Sequence, residues 1–134
     1  MSGRSVFVLD ASVGVKWFKF EAGSEAARAL YLRAVAGEID VAAPVHFAHE
    51  VLSVVQREMT ARAVPEAWGH LNDSGIALVP LGDEVVDEAA SQADALRCSF
   101  YDALAPACAH LLSATLVSAD ARAHGNYPGV VIIE

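Results

Sequence analysis

The sequence predicts an α/β fold: a single domain with a central, mostly parallel β-sheet flanked by helices. Three observations lead there. Short, unbroken apolar runs such as Val6-Phe7-Val8-Leu9 are too apolar for a strand with one wet face, so they read as strands covered on both sides. These runs alternate with longer helix-patterned stretches, the rhythm of a parallel sheet with crossover helices. Two acids, Asp10 and Asp120, stand just after such runs, and sites in open α/β sheets form beyond the carboxyl ends of strands.

Taken in order, Val6 to Leu9 is the first buried strand, and Ser12 to Trp17 starts a helix. Ser24 to Ala36 is a stronger helix, with Ser24 as its expected cap and Gly37 just beyond its end. Asp40 to Ala43 is a brief strand. Pro44 then precedes a helix reaching about Arg62, with Leu52, Val55 and Met59 at core spacing. Pro65 opens another short helix, a favoured first-turn position for proline. Ala77 to Leu81 is strand-like, and Asp83 to Leu96 is helical with acids in its first turn. Phe100 to Leu112 is helical, Thr115 to Ser118 a strand, and Val130 to Ile133 a last strand.

The 134 residues suit one compact domain spanning 1–134. A hydrophobic share of 54% excludes disorder on composition. No apolar run approaches the roughly 18 residues of a membrane span, so no membrane role is expected. Met1-Ser2-Gly3-Arg4 leads directly into a strand and does not read as a signal peptide. Two cysteines, Cys98 and Cys108, make no disulfide framework and read as small core residues. A cytoplasmic protein is the resulting expectation. The net charge of −8 argues against binding nucleic acid through the whole surface, leaving local contacts by Lys16, Lys19, Arg57, Arg62, Arg97 and Arg122.

Four acids carry the chemistry: Asp10, Glu50, Asp102 and Asp120, each beside an apolar run. Carboxylates are rarely buried unless paired, hydrogen-bonded or bound to metal. Glu50 and Asp102, near helix starts, can reach the sheet edge where Asp10 and Asp120 stand. Four converging carboxylates would repel one another and call for a cation, and a hard ion such as Mg²⁺ prefers oxygen ligands. Each acid also has a plainer reading. Asp10 can cap the next helix, Glu50 can pair with Arg57 or Arg62, Asp102 can sit on a helix dipole, and Asp120 can lie beside Arg122.

Val8-Leu9-Asp10-Ala11-Ser12, Pro44 followed by Glu50-Val51-Leu52, Phe100-Tyr101-Asp102-Ala103-Leu104 and Leu116-Val117-Ser118-Ala119-Asp120 together resemble the PIN-domain ribonucleases. Among these the pattern is most similar to VapC-type toxins of toxin–antitoxin pairs, over nearly the whole chain. The resemblance implies a Mg²⁺- or Mn²⁺-dependent endoribonuclease whose acidic quartet is Asp10, Glu50, Asp102 and Asp120, both as catalytic residues and as metal ligands. It also implies supporting hydroxyls at Ser12 and Ser118, a homodimer, an RNA substrate and a cognate antitoxin. Hydrolysis by such a site would leave a 5′-phosphate and a 3′-hydroxyl, without a 2′-hydroxyl nucleophile. Two positions depart from the pattern: Ser118 replaces a common threonine, and Pro106 falls inside the helix after Asp102. Pro106 cannot donate to the Asp102 carbonyl and crowds it, so a local bend is expected that adjusts Asp102 without removing it from the site.

Two rival classes stay open at this stage. One is a catalytically silent PIN-like module that binds RNA or protein. The other is a phosphatase of the haloacid-dehalogenase type, disfavoured because Ser12 stands where that chemistry needs a second Asp. His46 and His49 share a helix face but lack a zinc pattern and read as structural. Trp17, Phe18 and Phe20 read as core or dimer packing, with base stacking the sharper alternative. Lys16 and Lys19 read as surface charges, with RNA contact as the alternative.

Overall fold

A computed structural model of the chain describes residues 3–134; Met1 and Ser2, the head of the lead-in considered above, lie outside them. Five parallel strands make one sheet in the order β3-β2-β1-β4-β5. They are β1 (Val6–Leu9), β2 (Asp40–Pro44), β3 (Ala77–Val79), β4 (Thr115–Ser118) and β5 (Val131–Ile132). Pairing runs Phe7 to Val41 on one side of β1 and Val8 to Leu116 on the other. The winding starts at β1 and goes outward to β2 and β3, then returns to place β4 and β5 on the opposite flank. The reversal lies between β1 and β4, the crevice where open α/β sheets bind ligands.

Alternation along the strands sends successive residues to opposite faces. Leu9, Val41 and Val117 join Trp17, Phe47, Val51 and Leu71 in one core, against α1 (Ala11–Val15), α2 (Ser24–Val35), α3 (His46–Glu58) and α4 (Val64–Asp73). Val8, Ala42 and Leu116 join Val85, Ala89 and the buried side of α6 (Phe100–Leu111) in the other, with α5 (Asp83–Leu96) outside it. Phe47 is fully buried, a gain of about 1.5–3 kcal/mol from its apolar surface. Gly14 lets α1 approach α3 closely, because a Cβ there would stand 2.8 Å from Val51 Cγ2. On the other face Ala103, Ala105, Ala107 and Ala109 keep α6 slim enough to be buried from Ala103 to Ala109.

The structure moves several expected boundaries. The first helix starts at Ala11, one residue early, because Asp10 caps it. Ser24 is not the cap of α2: Gly23 holds that place at φ 84, and the Ser24 hydroxyl instead accepts from Glu21 N–H and donates to the Lys19 carbonyl. The helix expected to reach Arg62 ends at Glu58. Met59 leaves helical geometry, and Thr60 caps a separate 3₁₀ turn, Ala61–Ala63, through Ala63 N–H. Met59 is accordingly 56% exposed instead of joining the core. The third and last strands are shorter than expected, while Asp83–Leu96 and Thr115–Ser118 fall where the sequence placed them. No helix among the described residues is long and apolar enough to cross a membrane.

Candidate active site

Asp10, Glu50, Asp102 and Asp120 line one pocket of about 220 Å³ at the carboxyl edge of the sheet, together with Ser12, His46 and Tyr101. Asp10 follows β1 and Asp120 follows β4, so the switch between those strands supplies two of the walls. Glu50 comes from the first turns of α3 and Asp102 from the first turn of α6. Residues more than a hundred positions apart in the chain, such as Asp10 and Asp120, therefore meet because parallel strands all end on the same side.

Each acid also does a local structural job. Asp10 Oδ2 accepts from Ser12 N–H at 3.1 Å and from the Ser12 hydroxyl at 2.6 Å, so capping and membership of the pocket coexist. Ser12 Oγ in turn accepts Ala119 N–H at 3.0 Å, tying the start of α1 to the end of β4. Asp120 caps α7 (Ala121–His124) through Ala123 N–H at 3.0 Å. The Asp102 N–H donates to the Ser99 hydroxyl at 2.9 Å, a capping bond at the head of α6. Among the described residues Glu50 makes no ion pair with Arg57 or Arg62; it shares the pocket with Tyr101, whose phenol proton its charge helps to retain.

Two neighbours were not singled out by the sequence as part of this pocket. The Tyr101 hydroxyl is pushed up to about 12, first by desolvation, then by its hydrogen bond to Glu50 and the surrounding carboxylate charge. Tyr101 is half exposed and lines the pocket beside Glu50. His46 lies against Tyr101 with ring centroids 4.5 Å apart. Burial lowers its pKa, while Glu50 and Asp10 pull the other way. His49 points elsewhere, with Nδ1 3.3 Å from the Val45 carbonyl, so the two histidines form no joint site. A spacing argument on His46 alone had no means of showing that its ring would face the acids.

A third missed residue is His124, 1% exposed and wedged behind the pocket. Its Nε2 is 2.7 Å from the Asp102 carbonyl and its Nδ1 2.7 Å from Ser118 Oγ, which accepts Asp120 N–H at 3.0 Å. Helix α6 continues through Pro106, and the carbonyl that Pro106 cannot serve finds its donor in His124.

Among the residues considered for substrate contact, Lys16 needs correcting, while Trp17 as core and Lys19 as a surface charge stand. Lys16 is not a surface charge: it is 6% exposed, with Nζ bonded to Glu21 at 2.7 Å and to the Ala22 carbonyl. Lys19 pairs with Glu21 and Glu58 at 3.5 and 3.7 Å. Trp17 is core, its indole N–H donating to the Ala27 carbonyl at 2.9 Å and its ring edge-on to Tyr31 and Phe47. Phe20 is 87% exposed, with the Arg28 guanidinium stacked over it at 4.0 Å. The arginines nearest the acids are Arg57, in a groove shared with Glu50 and Tyr101, and Arg97 with Arg122, in a hollow shared with Asp102 and Asp120.

The donor set is one of hard oxygens, suited to Mg²⁺ or Mn²⁺ over softer metals. Among the described residues no three His, Cys, Asp or Glu side chains are grouped closely enough to enclose an ion by themselves. A hydrated Mg²⁺ needs only one or two direct carboxylates and keeps several waters, so the pocket fits such an ion and not a closed protein cage.

Strand order, parallel register and acids gathered at the switch point define an α/β protein with its site at the carboxyl edge of the sheet. The PIN domain model matches residues 7–127, and the chain belongs to the PIN-domain family. A toxin–antitoxin complex from Klebsiella pneumoniae contains a similar chain, with a TM-score of 0.70 at 14% identity, covering 92% of this chain and 94% of that one. VapC20 of Mycobacterium tuberculosis, described as a toxin cleaving the sarcin–ricin loop, has a TM-score of 0.67 at 17% identity, covering 94% and 98%. A protein from Pyrobaculum aerophilum gives 0.66 at 17% identity, covering 96% and 91%. Likenesses at such identities establish the fold. No curated protein matches the chain in sequence.

Proposed function

We propose that this chain is a metal-dependent endoribonuclease that hydrolyses RNA phosphodiester bonds, and that it serves as the toxin of a toxin–antitoxin pair. The observation that carries the reading is the convergence of Asp10, Glu50, Asp102 and Asp120 on one pocket at the switch point of a PIN fold. The likeness to a toxin–antitoxin complex and to a sarcin–ricin-loop-cleaving toxin supports the toxin role and an RNA substrate. A cognate antitoxin, a homodimer and a cytoplasmic location belong to the same reading.

In this proposal the four carboxylates hold Mg²⁺ or Mn²⁺. When bound, the ion supplies an activated water and neutralises charge developing on the phosphate. The chain does the rest. Ser12 orients Asp10 through its hydroxyl and N–H, and the cap of α7 orients Asp120. Arg57 on one side and Arg97 with Arg122 on the other hold the flanking phosphates, since guanidinium groups bind them through paired N–H donors. An RNA strand would thus cross an acidic centre between basic shoulders, which reconciles a net charge of −8 with a nucleic-acid substrate.

The test is cleavage of single-stranded and hairpin RNA in Mg²⁺, in Mn²⁺ and in EDTA. Wild type is expected to cut only with metal, and Asp10→Asn or Asp120→Asn to lower turnover by orders of magnitude while the chain still folds. Undiminished cleavage in EDTA or by both variants overturns the assignment. The second reading, a silent RNA- or protein-binding module, draws on the absence of a ready three-ligand group among the described residues. RNA binding without cleavage in either metal would favour it.

A further inference from the structure

We infer that His124 is a positioning residue that holds Asp102 and Asp120 in mutual register, and that it does so because Pro106 deprives Asp102 of its helical hydrogen bond. The inference deepens the nuclease reading and rests on it for the role of the two acids.

In an α-helix the carbonyl of Asp102 would accept from the N–H of residue 106. Pro106 has no N–H, and it is fully buried inside α6. A half-buried carbonyl left without a donor is costly and frees the first turn to shift. His124 Nε2 fills that vacancy at 2.7 Å. A carbonyl oxygen has no proton to give, so Nε2 must carry the hydrogen. That assigns Nδ1 as the acceptor end, which receives the Ser118 hydroxyl at 2.7 Å. Ser118 Oγ then uses a lone pair for Asp120 N–H at 3.0 Å. One imidazole and one hydroxyl thus span from the backbone of Asp102 to that of Asp120, with every donor and acceptor matched.

The arrangement matters for the site because the Asp102 side chain, unlike that of Asp10, accepts no hydrogen bond from the protein among the described residues. Its placement therefore depends on its backbone, which the Ser99 hydroxyl holds at the N–H and His124 at the carbonyl. Groups behind a metal ligand commonly change metal affinity or activity by about 10–100-fold when removed. A backbone contact one step removed belongs at the lower end of that range.

The experiment uses the full chain with Mg²⁺ alone as probe, read by metal-induced thermal stabilisation and, separately, by RNA cleavage. His124→Leu keeps apolar bulk and removes both bonds. It should raise the Mg²⁺ midpoint about tenfold and lower kcat with little change in KM. His124→Gln, whose amide reaches the Nε2 position, should recover most of the metal affinity. Pro106→Ala restores the helical N–H, so it should leave the midpoint within about twofold of wild type. In Pro106→Ala/His124→Leu it should rescue most of the His124→Leu loss. A lower melting temperature with an unchanged Mg²⁺ midpoint in His124→Leu reduces the residue to core filling and overturns the inference. A double variant no better than His124→Leu overturns the part played by Pro106. Should His124→Leu not fold, His124→Gln against His124→Asn decides: only Gln reaches Asp102, and equal midpoints count against the proposal. A wild type with no metal-induced shift overturns both this inference and the metal-dependent nuclease, whereas a shift that the variants leave intact overturns this inference alone.

Discussion

The two walls of the acidic pocket differ in how they hold Asp10 and Asp102. On the β1 wall the Ser12 hydroxyl and N–H grip the Asp10 carboxylate itself, two residues away in sequence. On the β4 wall the Asp120 carboxylate has a similar grip from Ala123 N–H, but Asp102 is held by main chain alone: His124 and Ser118 link its carbonyl to the Asp120 N–H, across as many as 22 positions. The first device orients a charge; the second orients a backbone and leaves the Asp102 charge free to meet a ligand. A local turn suffices where strand and helix are consecutive, as at β1 and α1. Where the head of α6 must be tied to the far end of β4, with the length of both elements between them, a buried side chain bridges the gap.

The largest expected effect is shared by both walls and would expose an error in treating them as one site. Asp10→Asn and Asp102→Asn should each remove most of the stabilisation by Mg²⁺. For wild type that stabilisation is about 2.7 kcal/mol at a metal concentration a hundredfold above Kd, or roughly 10 °C for a chain of this size. Without metal both variants should melt at or above the wild-type temperature, since each relieves repulsion among clustered carboxylates. Melting curves with and without Mg²⁺ check this. A full metal shift in one variant and none in the other would divide the pocket in two.

A smaller effect separates the walls. Ser118→Ala removes a fully buried hydroxyl and strands both His124 Nδ1 and Asp120 N–H, a loss of about 1–3 kcal/mol. Ser12→Ala takes away a half-buried hydroxyl whose partners can turn to water, about 0.5–1.5 kcal/mol. Urea denaturation in EDTA measures both. Equal losses, or a larger one at Ser12, would break the distinction between charge-holding and backbone-holding walls.

The smallest effect concerns the mouth of the pocket, through Tyr101. Its folded-state pKa of about 12 lies above the value near 10 of an unfolded tyrosine, so the native state holds the proton more tightly. That contribution is complete below about pH 10 and is lost as pH rises toward 12. Tyr101→Phe should flatten the fall in melting temperature across that window, and an unchanged slope would mean the hydroxyl is not shielded beside Glu50.

The alternation of apolar runs with helices was enough to give the α/β class, because burial on both faces forces strands to be apolar throughout. The same runs placed Asp10 and Asp120 at strand ends, and the motif order brought Glu50 and Asp102 to them; the structure gathers all four in one pocket. The element ends were less legible, since local competition decided them. Gly23 displaced Ser24 as a cap, and Thr60 began a new turn where apolar spacing alone would have carried α3 onward. Side-chain fate was not legible wherever it depended on distant partners. Lys16, read as a surface charge, is buried because Glu21 and the Ala22 carbonyl receive its ammonium. Pro106 announced a missing donor in the sequence. That His124 would supply it was decided only when parallel strands brought α6 beside the end of β4, since hydrogen-bond partnership between distant residues is fixed by three-dimensional packing and not by spacing along the chain.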